Sequence, residues 1–445
     1  MAYFECNLPS TMPGYINPSK KAGWERMSNA IITRFAKLEE AYQKVSSKMA
    51  GEQFALAVKP LFDAMTKKGV PVLDTLTSQQ LADHSLIYGP ALEYVPRLEW
   101  PNAETVVDAA FLTREEWEIM RGIGIGGSDS ALGEGFSTLY EIYHKKVGTE
   151  LFDEFVKEDG GKQLIFDYGH AIEDVVIGEF CRRTGGKVIP ETRMFRSKKY
   201  PWMTANIDAI VALPDGTYAV FEAKTTRFWN RDAWQDDKIP RYYKCQVRHY
   251  CVVLDDPKIV RGYIGCLYGN TPNDFRCKAI ERDDFEEKRL ISNEKAFWED
   301  NILAGVEPPS YGDERDETLL RRIVGPAQKN IVPVDIPVAY KSLANDYMDY
   351  TAQISAHEQA IEDLKQAANE CSIKIKEFLK NETYGELKDS TGTVMKIVWR
   401  PISGKRSVNY DLLELLYPQA FKDCVLPGMP EVSRSFSITA TAPKK

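Results

Sequence analysis

The sequence predicts an α/β fold in its middle part, set between a mostly helical N-terminal region and a C-terminal region built on one long helix with a small strand-containing tail. Three observations predict it. Between residues 113 and 303 helix-like and strand-like stretches alternate, with strand signals at 187–195, 203–213, 217–224 and 259–268. Before residue 110 the apolar residues recur at spacings of three and four. From residue 340 they settle into a 4-3 repeat that lasts about five heptads.

Composition narrows the classes. A chain of 445 residues suggests about two to four domains at roughly 100–200 residues each. The net charge of −8 argues against a protein that coats nucleic acid over its whole surface, yet leaves room for a local basic channel. No stretch approaches the roughly 18 apolar residues of a membrane span. The opening MAYFECNLPSTMPGY has no basic segment leading into an apolar one, so no secretory signal is expected, and the expected location is the cytoplasm. None of the eight cysteines forms a Cys-x-x-Cys pair, which favours buried free thiols over a zinc site.

Taken in order, the expected regions are 1–110, 111–315 and 316–445. Trp24, Met27, Ile31, Phe35, Leu38 and Tyr42 mark a helix over 22–49. Phe54–Met65 and Thr77–His84 read as further helices. Thr113 with Glu115 and Glu116 looks like a capped helix start, followed by a Gly-rich turn at Gly122–Gly127. Helices are expected at 137–147, 167–184, Tyr242–Val253 and Asp283–Leu303, and Pro308-Pro309 closes the middle region. The heptad seam then runs from Leu343 through Ile354, Ile361 and Leu364 to Phe378. His357 lies on it and reads as a satisfied interior or seam-edge histidine rather than a ligand or pH switch. Together with Tyr347 and Tyr350 it favours intramolecular or mixed packing over a two-stranded homodimer. Strands at 393–399 and 432–439 and a helix near 410–416 complete the tail.

The chemistry concentrates in MTANIDAIVALPDGTYAVFEAKTT, residues 203–226. Two apolar strands flank Leu213-Pro-Asp-Gly216, a strong turn signal. Centring the hairpin on Asp215 sets Asp208 opposite Glu222 on one face, with Cβ atoms roughly 5 Å apart, and Lys224 shares that face. Two carboxylates this close on apolar strands repel, and a divalent cation relieves the repulsion. Few protein oxygens and open water positions suit Mg²⁺, with Mn²⁺ able to substitute. Such an ion lowers the pKa of a bound water, and Lys224 can orient that water or stabilise charge on a phosphate. The plainer alternative is a surface Glu222–Lys224 ion pair worth under about 1 kcal/mol.

Further residues add to this. Glu173 is spaced with Val176, Ile177 and Phe180 near the apolar face of its helix, where a carboxylate wants a partner; a metal site would provide one, and a favourable place in the first turn of the helix dipole is the alternative. Gln246 and Tyr250 stand at i and i+4 on a helix and face one way.

Helix Glu173, then Asp208, then Glu222-Ala-Lys224, then Gln246-x-x-x-Tyr250 resembles the PD-(D/E)xK nuclease superfamily in order and spacing. Arg114-Glu-Glu-Trp-Glu-Ile-Met-Arg121-Gly-Ile-Gly-Ile-Gly126-Gly-Ser-Asp129 resembles the opening of YqaJ-type viral recombinases, which are similar to the lambda exonuclease. The resemblance covers about residues 112–312, and the C-terminal extension looks like phage versions of the family. Where the superfamily's name has Pro-Asp, this chain has Ile207-Asp208.

The resemblance implies a restriction-endonuclease-like core, a mixed central sheet flanked by helices. It implies a metal-dependent exonuclease that resects linear duplex DNA 5′→3′ and leaves 3′ single strands for an annealing protein. Asp208, Glu222, the carbonyl of Ala223 and Glu173 would hold the metal, and Lys224 would act on the water. Arg121 and Ser128 would contact phosphate, where the Gly126-Gly127-Ser128 turn offers amides and a hydroxyl; Gln246 and Tyr250 would shape the DNA site. Rings that enclose DNA, and the cytoplasm of a bacterial host, belong to the same implication. An endonuclease or repair enzyme on this core, a DNA-binding scaffold with an idle core, and a role in host-defence conflict are the competing readings.

Overall fold

The computed structural model describes residues 3–46, 98–149, 172–226, 239–325, 334–400 and 409–424, apart from a few positions within them, with scattered positions at 51–63 and Trp234. The expected helix at Thr77–His84 and strand at 432–439 lie outside the described residues. The chain divides into two compact units, Met1–Ile323 and Val324–Lys445.

In the first unit, α1 (Lys21–Val45) turns Trp24, Ile31, Phe35 and Leu38 inward, as their spacing predicts. They pack with Val106, Val107 and Phe111. Val106 and Val107 belong to strand β1 (Ala103–Asp108), which falls in the region read as mostly helical. Six residues behind Pro101 carry too little alternation to announce a strand, and pairing with a distant partner makes this one. Helix α2 (Arg114–Met120) starts on a capping box between Thr113 and Glu116, and α3 (Leu139–Lys146) on one between Thr138 and Glu141. Helix α4 spans 175–184, with Ile172 and Glu173 helical just before it.

The strand at 187–195 is two strands, β2 (Lys187–Pro190) and β3 (Arg193–Ser197). The strand at 203–213 is likewise two, β4 (Thr204–Asn206) and β5 (Ala209–Ala212). Each stretch changes sheet at its break, which no local pattern in the sequence announces. β1, β3 and β4 form an antiparallel three-stranded sheet. β2, β5, β6 (Tyr218–Thr225), β7 (Ile259–Leu267) and β8 (Phe275–Glu281) form a five-stranded sheet in the order β2-β5-β6-β7-β8. This second sheet is mixed: β6 and β7 run parallel and the other neighbours antiparallel. Strand β8 carried no sequence signal, since Arg276, Lys278 and Glu281 interrupt its apolar residues.

The β5–β6 hairpin has the register set by centring its turn on Asp215, from Ala209 opposite Phe221 to Ala212 opposite Tyr218. Gly216 takes φ +83°, a conformation that favours glycine, and Asp215 Oδ1 accepts the Thr217 amide at 3.0 Å. Helix α4 covers one face of the sheet through Val176, Ile177 and Phe180, which meet Ala209, Val211 and Phe221. Helix α5 (Arg241–Leu254) packs over Ile210 and Val220, residues of the opposite parity. Helix α6 (Asp284–Ala296) runs on through a π-helical turn, Phe297–Leu303, which seats Phe297, Trp298 and Ile302 against Ile125 and Ile142. Helix α7 spans Glu314–Val324.

The second unit holds α8 (Lys341–Leu379), a hairpin of β9 (Tyr384–Lys388) and β10 (Val394–Val398), and two short helices, α9 (Tyr410–Leu416) and α10 (Pro418–Cys424). Seam residues of α8, His357 included, are exposed along most of its length. No helix among the described residues is long and apolar enough to cross a membrane.

Candidate active site

Strand β6 builds the centre. Its residues alternate between the two faces, so Glu222 and Lys224 share the α5 face with Val220, while Phe221 and Ala223 enter the α4 side. Asp208 occupies the bend where the chain leaves the three-stranded sheet for β5, one residue beyond the paired part of the β5–β6 ladder. There its Oδ2 accepts the backbone amide of Ala223 at 2.8 Å, in place of a continuing strand. The turn-centred register holds as far as Ala209 opposite Phe221, one residue short of Asp208, and the bend that frees the Asp208 carboxylate comes from the sheet switch.

Glu222 is only 2% exposed, which removes the reading of Glu222–Lys224 as a surface ion pair. One carboxylate oxygen, Oε1, accepts from Gln246 Nε2 at 2.6 Å and from the Lys224 ammonium. The other, Oε2, is buried with no hydrogen-bond partner. An orphaned anionic oxygen is costly in a protein interior. Burial and the Glu222 charge, with a contribution from Glu173, push the Asp208 carboxyl well above its ordinary value. Burial and Glu173 likewise raise Glu222 against the pull of Lys224. Burial draws Lys224 down, but the charges of Glu222 and Asp208 reverse this and hold its ammonium above the ordinary lysine value. Glu173 thus makes itself felt at the same point as the other three.

This donor chemistry fits a divalent cation: two carboxylates held close against their own repulsion, one oxygen free, and no soft ligand. Among the described residues no group of three or more His, Cys, Asp or Glu side chains is arranged to hold a metal ion, so main-chain and water oxygens would have to complete the shell.

Helix α5 brings Gln246 and Tyr250 to this face. Gln246 Nε2 also donates to Tyr250 Oη at 3.0 Å, and burial beside Glu222 and Asp208 drives the phenol well above its ordinary value. The Gly-rich turn lies against the same tyrosine. A Cβ on Gly127 would fall 2.4 Å from the Tyr250 ring, so only glycine permits the approach. Ser128 Oγ accepts from Arg121 at 2.7 Å, and the Arg121 guanidinium stacks 4.7 Å from the Trp117 ring.

Sequence reasoning missed what supports this turn. Asp129 is buried between Lys146 Nζ at 2.7 Å and Lys145 Nζ at 3.5 Å. Burial opposes its charge, yet Lys145, Lys146 and Arg121 hold it well below the usual carboxylate range. Burial pulls Lys145 down to about 8. Lys145-Lys146 ends a helix, where basic residues are ordinary, and that concealed the pair. His249, between Gln246 and Tyr250 in number, was also passed over. It is fully buried and bridges Glu294 Oε1 at 2.8 Å and the Thr204 carbonyl at 2.9 Å.

Fold and site together define an α/β protein whose mixed five-stranded sheet carries a buried carboxylate–lysine cluster. The sequence model of the YqaJ-like viral recombinase domain matches residues 116–255. The uncharacterized protein YqaJ of Bacillus subtilis (strain 168) is 30% identical over 307 residues, covering 68% of this chain and 88% of that one. The chain belongs to the YqaJ-like viral recombinase family. Among solved structures, an alkaline exonuclease from Laribacter hongkongensis matches 47% of this chain and 98% of its own, at 17% identity and a TM-score of 0.34. The same enzyme in complex with dAMP matches at 18% identity with the same TM-score.

Proposed function

We propose that this chain is a Mg²⁺-dependent deoxyribonuclease that attacks the ends of linear duplex DNA and resects one strand 5′→3′. The observation that carries the reading is Glu222, buried with Oε2 unpaired beside Asp208 and flanked by Lys224 and Gln246. Asp208 and Glu222, with the Ala223 carbonyl and, through water, Glu173, are the residues that would hold the ion. A divalent ion there supplies a water of lowered pKa and neutralises charge on the scissile phosphate.

The chain's own residues do the rest. Lys224 keeps its proton at neutral pH and stands beside Glu222, where it positions the attacking water and stabilises charge that develops on phosphate oxygen. Gln246 fixes the Glu222 carboxylate, and Tyr250, neutral and buried, walls the site toward the Gly-rich turn. Arg121, Ser128 and the amides of that turn receive a DNA phosphate. In this reading the partners are DNA ends and a single-strand annealing protein, and the setting is the cytoplasm of a bacterial host.

The test is digestion of linear duplex labelled at one end, with Mg²⁺, against a closed circle of the same sequence. Loss of the linear duplex from 5′ ends with survival of the circle supports the reading. Cleavage of the circle makes the protein an endonuclease, and no cleavage of either makes the core idle.

A further inference from the structure

Lys224 needs more than its ion pair to stay in place. Among the described residues its ammonium has one hydrogen-bond acceptor, Glu222 Oε1. A single acceptor does not fix three N–H donors on a flexible four-carbon stem. Lys224 stands next to last in β6, and its side chain keeps 22% of its surface open, so the ammonium can turn out to water.

Tyr243 stands over it. Lys224 Nζ lies 5.5 Å from the centre of the Tyr243 ring, within the range at which an aromatic face attracts a cation. Tyr243, Gln246 and Tyr250 recur at i, i+3 and i+7 on α5 and so share one face of the helix. Gln246 meets Glu222, and one turn earlier Tyr243 meets Lys224, two residues further along β6. We propose that Tyr243 is a positioning residue of this site, whose ring holds the Lys224 ammonium beside Glu222 and keeps it from turning out to water.

The ring is itself fixed. Trp234 lies against it with centroids 5.4 Å apart, and Tyr242 with centroids 4.3 Å apart. Trp234 is buried and forms an apolar cluster with Val247, Ile264 and Cys266, on which Tyr243 packs. In the β6–β7 register Cys266 pairs with Lys224, and Ile264 with Glu222. The wall beside the lysine is therefore apolar. The ammonium is left to choose between the carboxylate, the ring and water, and removing the ring favours water. The attraction comes from the face of the ring, not from the hydroxyl, so phenylalanine should serve in its place. The effect on rate rests on the nuclease reading, whereas the contact itself does not.

The test is a mutant cycle on the full-length chain. Tyr243→Leu keeps apolar bulk and removes the ring. It should lower the single-turnover rate on linear duplex about tenfold and change DNA affinity less than about twofold. Tyr243→Phe should recover most of that loss. In a Lys224→Ala background Tyr243→Leu should cost nothing further, because the ring acts only through the ammonium. The contact is also read apart from cleavage. In protein isotopically labelled at lysine Cε, the Lys224 signal, assigned by its loss in Lys224→Ala, should lie upfield in the native and Phe proteins. In the Leu variant it should return to the position of the other lysines. A Leu variant with the native rate, a Phe variant as slow as Leu, or an equal loss from Tyr243→Leu with and without Lys224 overturns the proposal. A Lys224 signal that Tyr243→Leu leaves in place overturns the contact. An upfield, ring-dependent signal in a native chain that cuts no DNA supports the contact and overturns the nuclease reading instead.

Discussion

Gln246 joins Glu222 to Tyr250: its Nε2 lies 2.6 Å from Glu222 Oε1 and 3.0 Å from Tyr250 Oη. Both amide hydrogens are thereby committed, and the carboxylate is held with its other oxygen facing inward and unpaired. Gln246→Ala should leave the fold intact and lower kcat about 10–100-fold, the usual cost of losing a residue that orients a ligand. Circular dichroism and single-turnover cleavage check the two halves of this expectation. Unchanged turnover would mean that the amide does not orient Glu222 for the reaction.

Asp208 and Glu222 place stress on the metal-free protein. Burial raises both carboxyls, helped by the Glu222 and Glu173 charges at Asp208 and by the Glu173 charge at Glu222, so the folded state takes up protons more readily than the unfolded chain. Stability from this source is greatest at acidic pH and falls as pH rises through the folded-state values. Asp208→Asn should therefore hold or raise the melting temperature of the metal-free protein at neutral pH and flatten its pH dependence. If the proposed metal site is right, the change should lower cleavage by about three orders of magnitude, and Mg²⁺ should stabilise the native chain but not this variant. A thermal shift series with and without Mg²⁺ measures all three, and an Asn variant that still gains from Mg²⁺ would remove Asp208 from the metal site.

Lys224 is argued to matter most where charge develops. Lys224→Ala should cut turnover by about 10²–10³-fold while DNA affinity changes little. Comparing single-turnover rate with equilibrium binding separates these. Equal losses in both would make Lys224 a contact to bound phosphate.

Much of this site was legible because its parts are local. The Leu213–Gly216 turn and two apolar strands fix the register of Ala209 against Phe221, and parity then assigns Glu222 and Lys224 to one face. Spacing alone put Gln246 and Tyr250 on one side of α5. What stayed hidden depends on contacts far apart in sequence. β4 and β5 read as one strand because both are extended and mostly buried, and only pairing with β3 and β6 separates them at Asp208. β1 exists through β3, 90 residues on, where Thr105 pairs with Phe195. Lys146 is an ordinary helix-end residue until the fold buries it against Asp129.

Gly127 tests whether the Gly-rich turn and the site are one structure. Gly127→Ala puts a methyl 2.4 Å from the Tyr250 ring. The turn or the ring must move, at a cost of about 1–3 kcal/mol, and cleavage should fall with it. Tyr250→Phe in the same background should recover little, since it removes the hydroxyl at 2.9 Å but leaves the ring carbons at 2.4 and 2.6 Å. Urea unfolding midpoints and cleavage rates of the single and double variants decide this; an alanine variant with native stability would mean the approach is looser than described.

The buried pair His249 and Glu294 carries the last expectation. It joins α5 to α6 through a 2.8 Å contact and to β4 through the Thr204 carbonyl at 2.9 Å. Burial alone would lower the imidazole's proton affinity, but the Glu294 carboxylate and the Thr204 carbonyl reverse this and raise His249 above its ordinary 6.5. A raised value in the folded state means that the native protein keeps a proton the unfolded chain gives up. The stability this contributes is complete below about pH 6.5 and is lost as pH climbs through the folded-state value. Replacing His249 by Gln strands a carboxylate in the interior, and breaking a buried pair in this way costs about 3–5 kcal/mol. The deficit against the native chain should be largest in mildly acidic solution and should shrink toward alkaline pH. Urea unfolding of both proteins at about pH 6 and about pH 9 measures it. A deficit that grows with pH would show that the native pair holds no proton on His249, and that its role is packing alone.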